Sequence, residues 1–213
     1  MEILLYFWDI LLHLDRHLAL LLQEHGVWVY PILFAIIFCE TGLIVMPFLP
    51  GDSLLFVAGA LAATGGLDLE LLMLILFIAA VLGDTVNYTV GHYFGAKVFG
   101  WQDSRFFNKK AFEKTHDFYE KHGGKTIIIA RFLPLVRTFA PFVAGVASMT
   151  YRRFLVFNII GGAVWVISLT LAGYWFGNLP VVKDNLTLVI LGIIAVSLLP
   201  LVIGYLRHRN SQA

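Results

Sequence analysis

Three apolar runs constrain what this chain can fold into. Residues 69–93, 154–177 and 187–206 are each long enough, as helix, to cross a hydrocarbon core of about 30 Å. The whole chain agrees: of 213 residues, 59% are hydrophobic and 14% are charged, and the mean hydropathy is +0.82. Soluble domains sit near ~45–50% apolar and ~25% charged. The chain therefore reads as an integral membrane protein. A net charge of +1 offers no electrostatic basis for a nucleic-acid partner. One cysteine, Cys39, excludes an internal disulfide framework and a cysteine-only metal site. His13 and His17 stand four apart, but the stretch reads HLDRH rather than HExxH, so neither metal nor cofactor is expected. Neither a basic n-region nor a small-residue cleavage site marks the N-terminus, so no removable signal peptide is expected.

Two further apolar regions are broken. Residues 28–46 run into Pro47-Phe48-Leu49-Pro50-Gly51-Asp52, and the apolar stretch 53–64 ends at Gly65-Gly66. That second arm is about 18 Å of helix, too short to span. The pattern predicts a re-entrant hairpin over 28–64 that turns at Pro47, Pro50 and Gly51. Residues 127–149 repeat it, with Pro134 and Pro141 as breaks on either side of Arg137. Irregular backbone at membrane depth is tolerated where protein covers it or it lines a wet cavity, so two breaks point to a cavity. Residues 1–26 carry a polar stripe (Asp9, His13, Arg16, His17, Gln23, Glu24). They predict an amphipathic helix that lies in the interface or borders a bundle.

An internal repeat organises these pieces. Phe48-Leu49-Pro50 recurs as Phe132-Leu133-Pro134, Phe56-Val57-Ala58-Gly59 as Phe142-Val143-Ala144-Gly145, and Gly91-His92-Tyr93-Phe94-Gly95 as Gly173-Tyr174-Trp175-Phe176-Gly177. Each unit is one hairpin plus one spanning helix, an odd number of crossings, so the second unit enters from the opposite side. The expected fold is an all-α membrane domain over 1–213. It comprises an inverted repeat of two re-entrant hairpins, each followed by a spanning helix, with a C-terminal spanning helix at 187–206 and the N-terminal amphipathic helix. Orientation follows from basic residues. Lys97, Arg105, Lys109, Lys110, Lys114, Lys121 and Lys125 of the loop 94–125 share one side with Arg152, Arg153, Arg207 and Arg209. This bias places that side, and the C-terminus, in the cytoplasm. Phe107, Ala111 and Phe118 of the loop share a helical face, as in either an interfacial helix or a plain linker.

Charges inside the apolar segments carry the chemistry. Glu40, Asp52, Asp84, Arg131 and Arg137 are few and costly, each worth roughly 2.5–3.5 kcal/mol at the bilayer centre. If the repeat is inverted, acids of the first hairpin face arginines of the second. Planar guanidinium forks suit bidentate capture of phosphate oxygens, so Arg131 and Arg137 are candidate ligand-binding groups. Glu40 and Asp52 are candidate proton-coupling groups, exchanging between protonated and arginine-paired states. Asp84, beside Gly83 and a turn from Asn87 and Tyr88, is either a further site residue or part of a polar seam between helices. His92 reads as interfacial or as a proton carrier. Together they describe proton-coupled handling of an anionic ligand with a long hydrocarbon tail.

Glu40, the run PFLPGD at 47–52, Gly83-Asp84 and ARFLPLVRTFAPFVAG at 130–145 closely resemble the DedA family of bacterial membrane proteins, from about residue 28 to 177. The resemblance implies kinship with eukaryotic lipid scramblases. It also implies an inner-membrane, proton-dependent transporter that returns undecaprenyl phosphate for envelope synthesis. It assigns functional weight to Glu40, Asp52, Arg131 and Arg137. His92 departs from the family, where many relatives carry Arg or Lys.

Other readings remain alongside. A lipid phosphatase would need a nucleophile with a base, or a metal cluster, near the arginines. No histidine lies inside either hairpin, so an enzyme is not expected. A proton-coupled exporter of cations or drugs, and a less selective phospholipid scramblase, are the rivals within transport. Expected partners are the anionic lipid, protons and bulk membrane lipid; the oligomeric state is open, a homo-oligomer included.

Overall fold

The computed structural model describes residues 14–43, 51–99, 123–183 and 192. Among these residues every regular element is helical. The elements are α1 (Leu14–His25), a 3-10 turn (Gly26–Trp28), α2 (Val29–Gly42), α3 (Gly51–Ala63), α4 (Leu69–Phe99), α5 (residues 123–130), α6 (Pro134–Val146), α7 (Tyr151–Phe176) and the short α8 (Pro180–Lys183). The expected span at 187–206 (Gly192 aside), most of the basic loop, Pro47 and Pro50 lie outside the described residues.

Among the described residues, three helical stretches are long and apolar enough to cross a membrane: Leu20–Gly42, Leu69–Gly95 and Tyr151–Phe176. The last two match the sequence expectation, but α4 continues past residue 93 to Phe99. Gly95 does not end it, because that glycine is a packing contact. Leu20–Gly42 differs more. The sequence divides it into a peripheral helix and a hairpin arm, whereas the 3-10 turn at Gly26 (φ 52°) carries the helical path from α1 into α2. The apolar helix therefore counts as 23 residues. By contrast α3 and α6 have 13 residues each, about 20 Å, and neither can cross alone.

The long helices wear their polarity inside. On α4, Leu71, Leu74, Ile78, Leu82, Val86 and Val90 are exposed while Asp84, Asn87 and Tyr88 are buried. On α7, Val156, Ile159, Ile160, Val164 and Ile167 are exposed while Asn158, Trp165 and Thr170 are buried. An apolar exterior over a polar interior is what a hydrocarbon solvent selects.

The chain forms two compact units. The first is drawn from the described parts of Met1–Ile36, Leu49–Leu76 and Val166–Ala213. Here α3 is buried nearly all round and ends in a Schellman cap. Gly66 N donates to Leu61 O and Gly65 N to Ala62 O, with Gly65 at φ 81°. Asp68 then caps α4 by accepting from Leu71 N at 2.8 Å, and its own N–H donates to the Tyr30 hydroxyl at 2.8 Å. Helix α3 crosses α7 at contact distance. A methyl on Gly59 would strike the Thr170 carbonyl and lie 3.1 Å from Tyr174 N, one on Gly173 would strike Phe56 O, and one on Gly177 would strike Ala60.

The second unit is drawn from the described parts of Ile37–Phe48 and Phe77–Trp165. Its crossing of α6 over α4 has the same design. A methyl on Gly145 would strike the Tyr88 carbonyl and lie 2.7 Å from His92 N, one on Gly91 would strike Phe142 O, and one on Gly95 would lie 2.6 Å from Val146 O. These are the residues that recur in the sequence. Each crossing joins the short helix of one repeat to the long helix of the other, and the G-x-x-x-G spacing brings backbone onto backbone.

Equivalent crossings respond equally to overpacking. Gly59→Ala and Gly145→Ala should each destabilise the purified protein by about 1–3 kcal/mol, read as a lowered thermal midpoint in detergent. Gly192→Ala, where nothing lies within 4 Å, should leave that midpoint unchanged.

Candidate functional site

The second unit gathers most of the intramembrane charges. Helix α5 stops at Ala130, where Phe132 N and Leu133 N turn back onto Ile129 O and Ala130 O at 3.1 and 3.0 Å. Leu133 is extended (φ −117°, ψ 105°) and Pro134 opens α6. This is the local rule for proline: it restricts the residue before it and suits a first helical turn. The break thus sets Arg131 just past the end of α5 and Arg137 in the opening turn of α6. Pro141, expected as a second break, lies inside α6 instead. Its missing N–H costs one hydrogen bond, to the Arg137 carbonyl four residues back, and the helix carries on.

Each arginine meets a carboxylate away from water. Arg137 Nη2 donates to Glu40 Oε1, with the side chains 8% and 0% exposed. Arg131 Nη2 donates to Asp84 Oδ2, with exposures of 4% and 5%, and also to Asn158 Oδ1. Asn158 is oriented by its own amide, which donates to Val81 O at 3.1 Å and Thr85 Oγ1 at 3.4 Å. The Arg131 side chain runs over a glycine floor, where a methyl on Gly161 would lie 3.1 Å from its Cδ. Its Nε–H is buried and has no acceptor among the described residues. Arg137 Cζ sits 5.2 Å above the Trp165 ring, within cation–π range.

Asn87 fastens the backbone beside the Glu40–Arg137 pair. Its amide donates to Thr41 O at 3.1 Å and Thr138 O at 2.7 Å, the carbonyls next in sequence to Glu40 and Arg137. Nearby, Gly42 and Gly83 let α2 approach α4, a methyl on Gly42 lying 3.3 Å from Gly83 Cα. Thr41, Asp84, Arg131, Arg137 and Trp165 line one cavity with about 10 Å³ of water-accessible volume. That is room for about one water molecule and too little for a phosphate group.

The structure therefore joins Glu40 with Arg137 and Asp84 with Arg131. Asp52 stands half-buried in the first turn of α3, which opens at the buried Gly51, in the other unit. His92 is exposed on α4 and stacked on Tyr88, ring centroids 6.1 Å apart. Among the described residues no group of His, Cys, Asp and Glu is placed to hold a metal ion. Asn158, Trp165 and the Gly161-Gly162 pair are site residues that the sequence pattern passes over. A lone asparagine in an apolar run was the available signal for the first.

A buried pair broken on one side leaves an uncompensated charge. Asp84→Asn should cost about 3–5 kcal/mol of stability, while Asp84→Leu with Arg131→Met should cost far less. Thermal midpoints of the two proteins in the same detergent decide it; equal losses would show that Asp84 and Arg131 do not act as a pair.

Comparison with known proteins meets this geometry from another side. Residues 49–175 match the VTT domain, a stretch that holds Asp84, Arg131, Arg137, Asn158 and Trp165. Protein DedA of Escherichia coli is 57% identical over 100% of this chain and 98% of its own length. An uncharacterized membrane protein of Mycobacterium leprae is 46% identical over 86% of this chain and 82% of its own length. Inner membrane protein YqjA of Escherichia coli is 38% identical over 71% and 69%. No solved structure matches. With a family domain over more than half its length and full-length relatives at this identity, the chain belongs to the DedA family of VTT-domain proteins.

Proposed function

We propose that this protein is a proton-dependent carrier that returns an anionic polyprenyl phosphate lipid, undecaprenyl phosphate, across the bacterial inner membrane for envelope synthesis. The observation that carries this reading is the pair of buried arginine–carboxylate contacts around one small cavity. A phosphate that takes the donors now held by Glu40 and Asp84 must replace those carboxylates. The displaced acid, left in a low-dielectric interior, is then stabilised by taking up a proton. Anion binding and proton uptake are linked through the same two arginines. Glu40 and Asp84 are the exchanging acids, and Asp52 is a further coupling candidate outside the cluster. The unspent Nε–H of Arg131 adds a donor for a second phosphate oxygen. The apolar outer faces of α4 and α7 suit a substrate whose tail stays in lipid while its headgroup passes through protein.

The protein acts without catalysing a reaction, since binding and exchange suffice for the task. A cation exporter would need acids open to its substrate, whereas Glu40 and Asp84 are engaged by arginines. The reading also takes the two matched crossings as halves of an inverted repeat with two re-entrant hairpins. Inner membrane protein YqjA, similar in sequence, bears its location in its name, and the same membrane is proposed here, with the C-terminus cytoplasmic.

Transport by purified protein in vesicles, with and without an imposed proton gradient, tests the function. Arg131→Lys and Arg137→Lys keep charge but lose the planar fork, and each should slow undecaprenyl phosphate transport at least ~10-fold while inserting normally. Normal rates in both would end phosphate recognition as an explanation. Glu40→Gln and Asp84→Asn should flatten the dependence of rate on pH; Asp52→Asn is run beside them. Equal transport of phospholipid and polyprenyl phosphate would favour a scramblase.

Orientation has its own check. In a Cys39-free protein, cysteine at Glu70 should react with an impermeant thiol reagent in intact cells and cysteine at Arg152 should not. Labelling of both from outside would overturn the inverted arrangement.

A further inference from the structure

One face of α7 serves both arginines. Asn158, Gly161, Gly162 and Trp165 follow one another at helical spacing. Asn158 accepts from Arg131, Gly161 makes room for its side chain, and Trp165, 1% exposed, lies beneath Arg137 with 5.2 Å from Cζ to ring centroid. We propose that Trp165 is a positioning residue of the anion site: its ring holds the Arg137 guanidinium in place while that group's in-plane donors pass from Glu40 to the phosphate of the ligand. This rests on the reading of the site given above.

The reason lies in the shape of the guanidinium. Its N–H donors point outward in one plane, and a carboxylate or phosphate takes that edge. An aromatic ring meets the cation over the ring face, through its quadrupole. The two kinds of partner therefore occupy different sides of the same group. A second carboxylate in place of Trp165 would neutralise Arg137 and keep an anion out. An aliphatic side chain would itself offer the buried cation no attraction at the moment of exchange. Indole gives the strongest attraction of the aromatic side chains, and it leaves the edge open. Arg131 is held differently, at its edge by Asp84 and Asn158. The two arginines are thus steadied from different sides, Arg131 at its edge by Asn158 and Arg137 over its face by Trp165.

Fluorination separates this role from space filling. Fluorine withdraws electron density from the indole ring and weakens its attraction for a cation with little change in shape. The full chain has five tryptophans; changing Trp8, Trp28, Trp101 and Trp175 to Phe leaves Trp165 alone. Expression in a tryptophan auxotroph fed with indoles of increasing fluorine content gives a graded series. The probe is farnesyl phosphate, titrated into the detergent-purified protein. The dissociation constant should rise with each added fluorine, by roughly tenfold across the series. A flat or falling series in protein that binds overturns the proposal and leaves the proposed function standing. Failure of the unfluorinated parent and the wild-type protein to bind at all overturns both. Should the four-Phe protein not fold, Trp165→Phe and Trp165→Leu in the otherwise unaltered chain decide the matter. Phe keeps a weaker ring and should bind several-fold tighter than Leu; equal losses overturn the proposal.

Discussion

A guanidinium group removed from water is the constraint on which the second unit is built. Stranding such an ion in a low-dielectric interior costs several kcal/mol even after the surroundings relax. Partners must therefore be supplied by neighbouring elements, and they come from every side. The end of α2 supplies Glu40, α4 supplies Asp84, and α7 supplies Asn158 and Trp165. The inward polarity of α4 and α7 follows from this need. So does Gly161, where a methyl would crowd the Arg131 side chain at 3.1 Å.

Such an arrangement also needs the arginines at the ends of helices rather than in their middles. The Pro134 break does this by stopping α5 and restarting the chain as α6, so that Arg131 and Arg137 approach the cavity from two segments. Asn87 then fixes the backbone on both sides of the Glu40–Arg137 contact through its two amide hydrogens. An amide is suited to this because it offers two donors without a charge. Buried pairs contribute little net stability, which suits the exchange proposed above. Backbone clips and glycine crossings hold the frame without them.

What was legible in the sequence follows the same physics. Glu40, Asp84, Arg131 and Arg137 stood out because charge in an apolar run is expensive, and expense leaves a signal. The short helices were legible as runs too short to cross, and the crossings as repeated small-residue motifs. The partnerships were legible in part: Glu40 meets an arginine of the second hairpin as the sequence order implies, whereas Asp84 reaches Arg131 because pairing depends on which helices cross. Here the short helix of one repeat packs on the long helix of the other. Trp165 looked like one more apolar residue of a span, since a π face carries no mark in a hydropathy pattern. Pro141 read as a break because proline forbids one hydrogen bond, but one lost bond did not stop α6. Leu20–Gly42 read as two pieces because the polar stripe of residues 1–26 gives way to the apolar run 28–46.

The two crossings share their motif but not their chemistry. Aligned on the G-x-x-x-G pairs at 91–95 and 173–177, Tyr88 corresponds to Thr170, and each carbonyl receives the glycine of a short helix. On the same alignment Asp84 corresponds to Val166 and Asn87 to Leu169. Of these two long helices, only α4 thus carries the carboxylate and the backbone-clipping amide at the aligned positions. What the two crossings share is the frame, a short buried helix wedged against a long one. Both arginine–carboxylate pairs belong to one unit, while the other keeps Ser53 and Thr170 buried in its interior. A carrier that moves one headgroup at a time needs only one such centre. A second set of buried arginines would add desolvation cost without adding a step. The asymmetry is what that account of the site requires: where α4 carries Asp84 and Asn87, the aligned positions of α7 carry Val166 and Leu169.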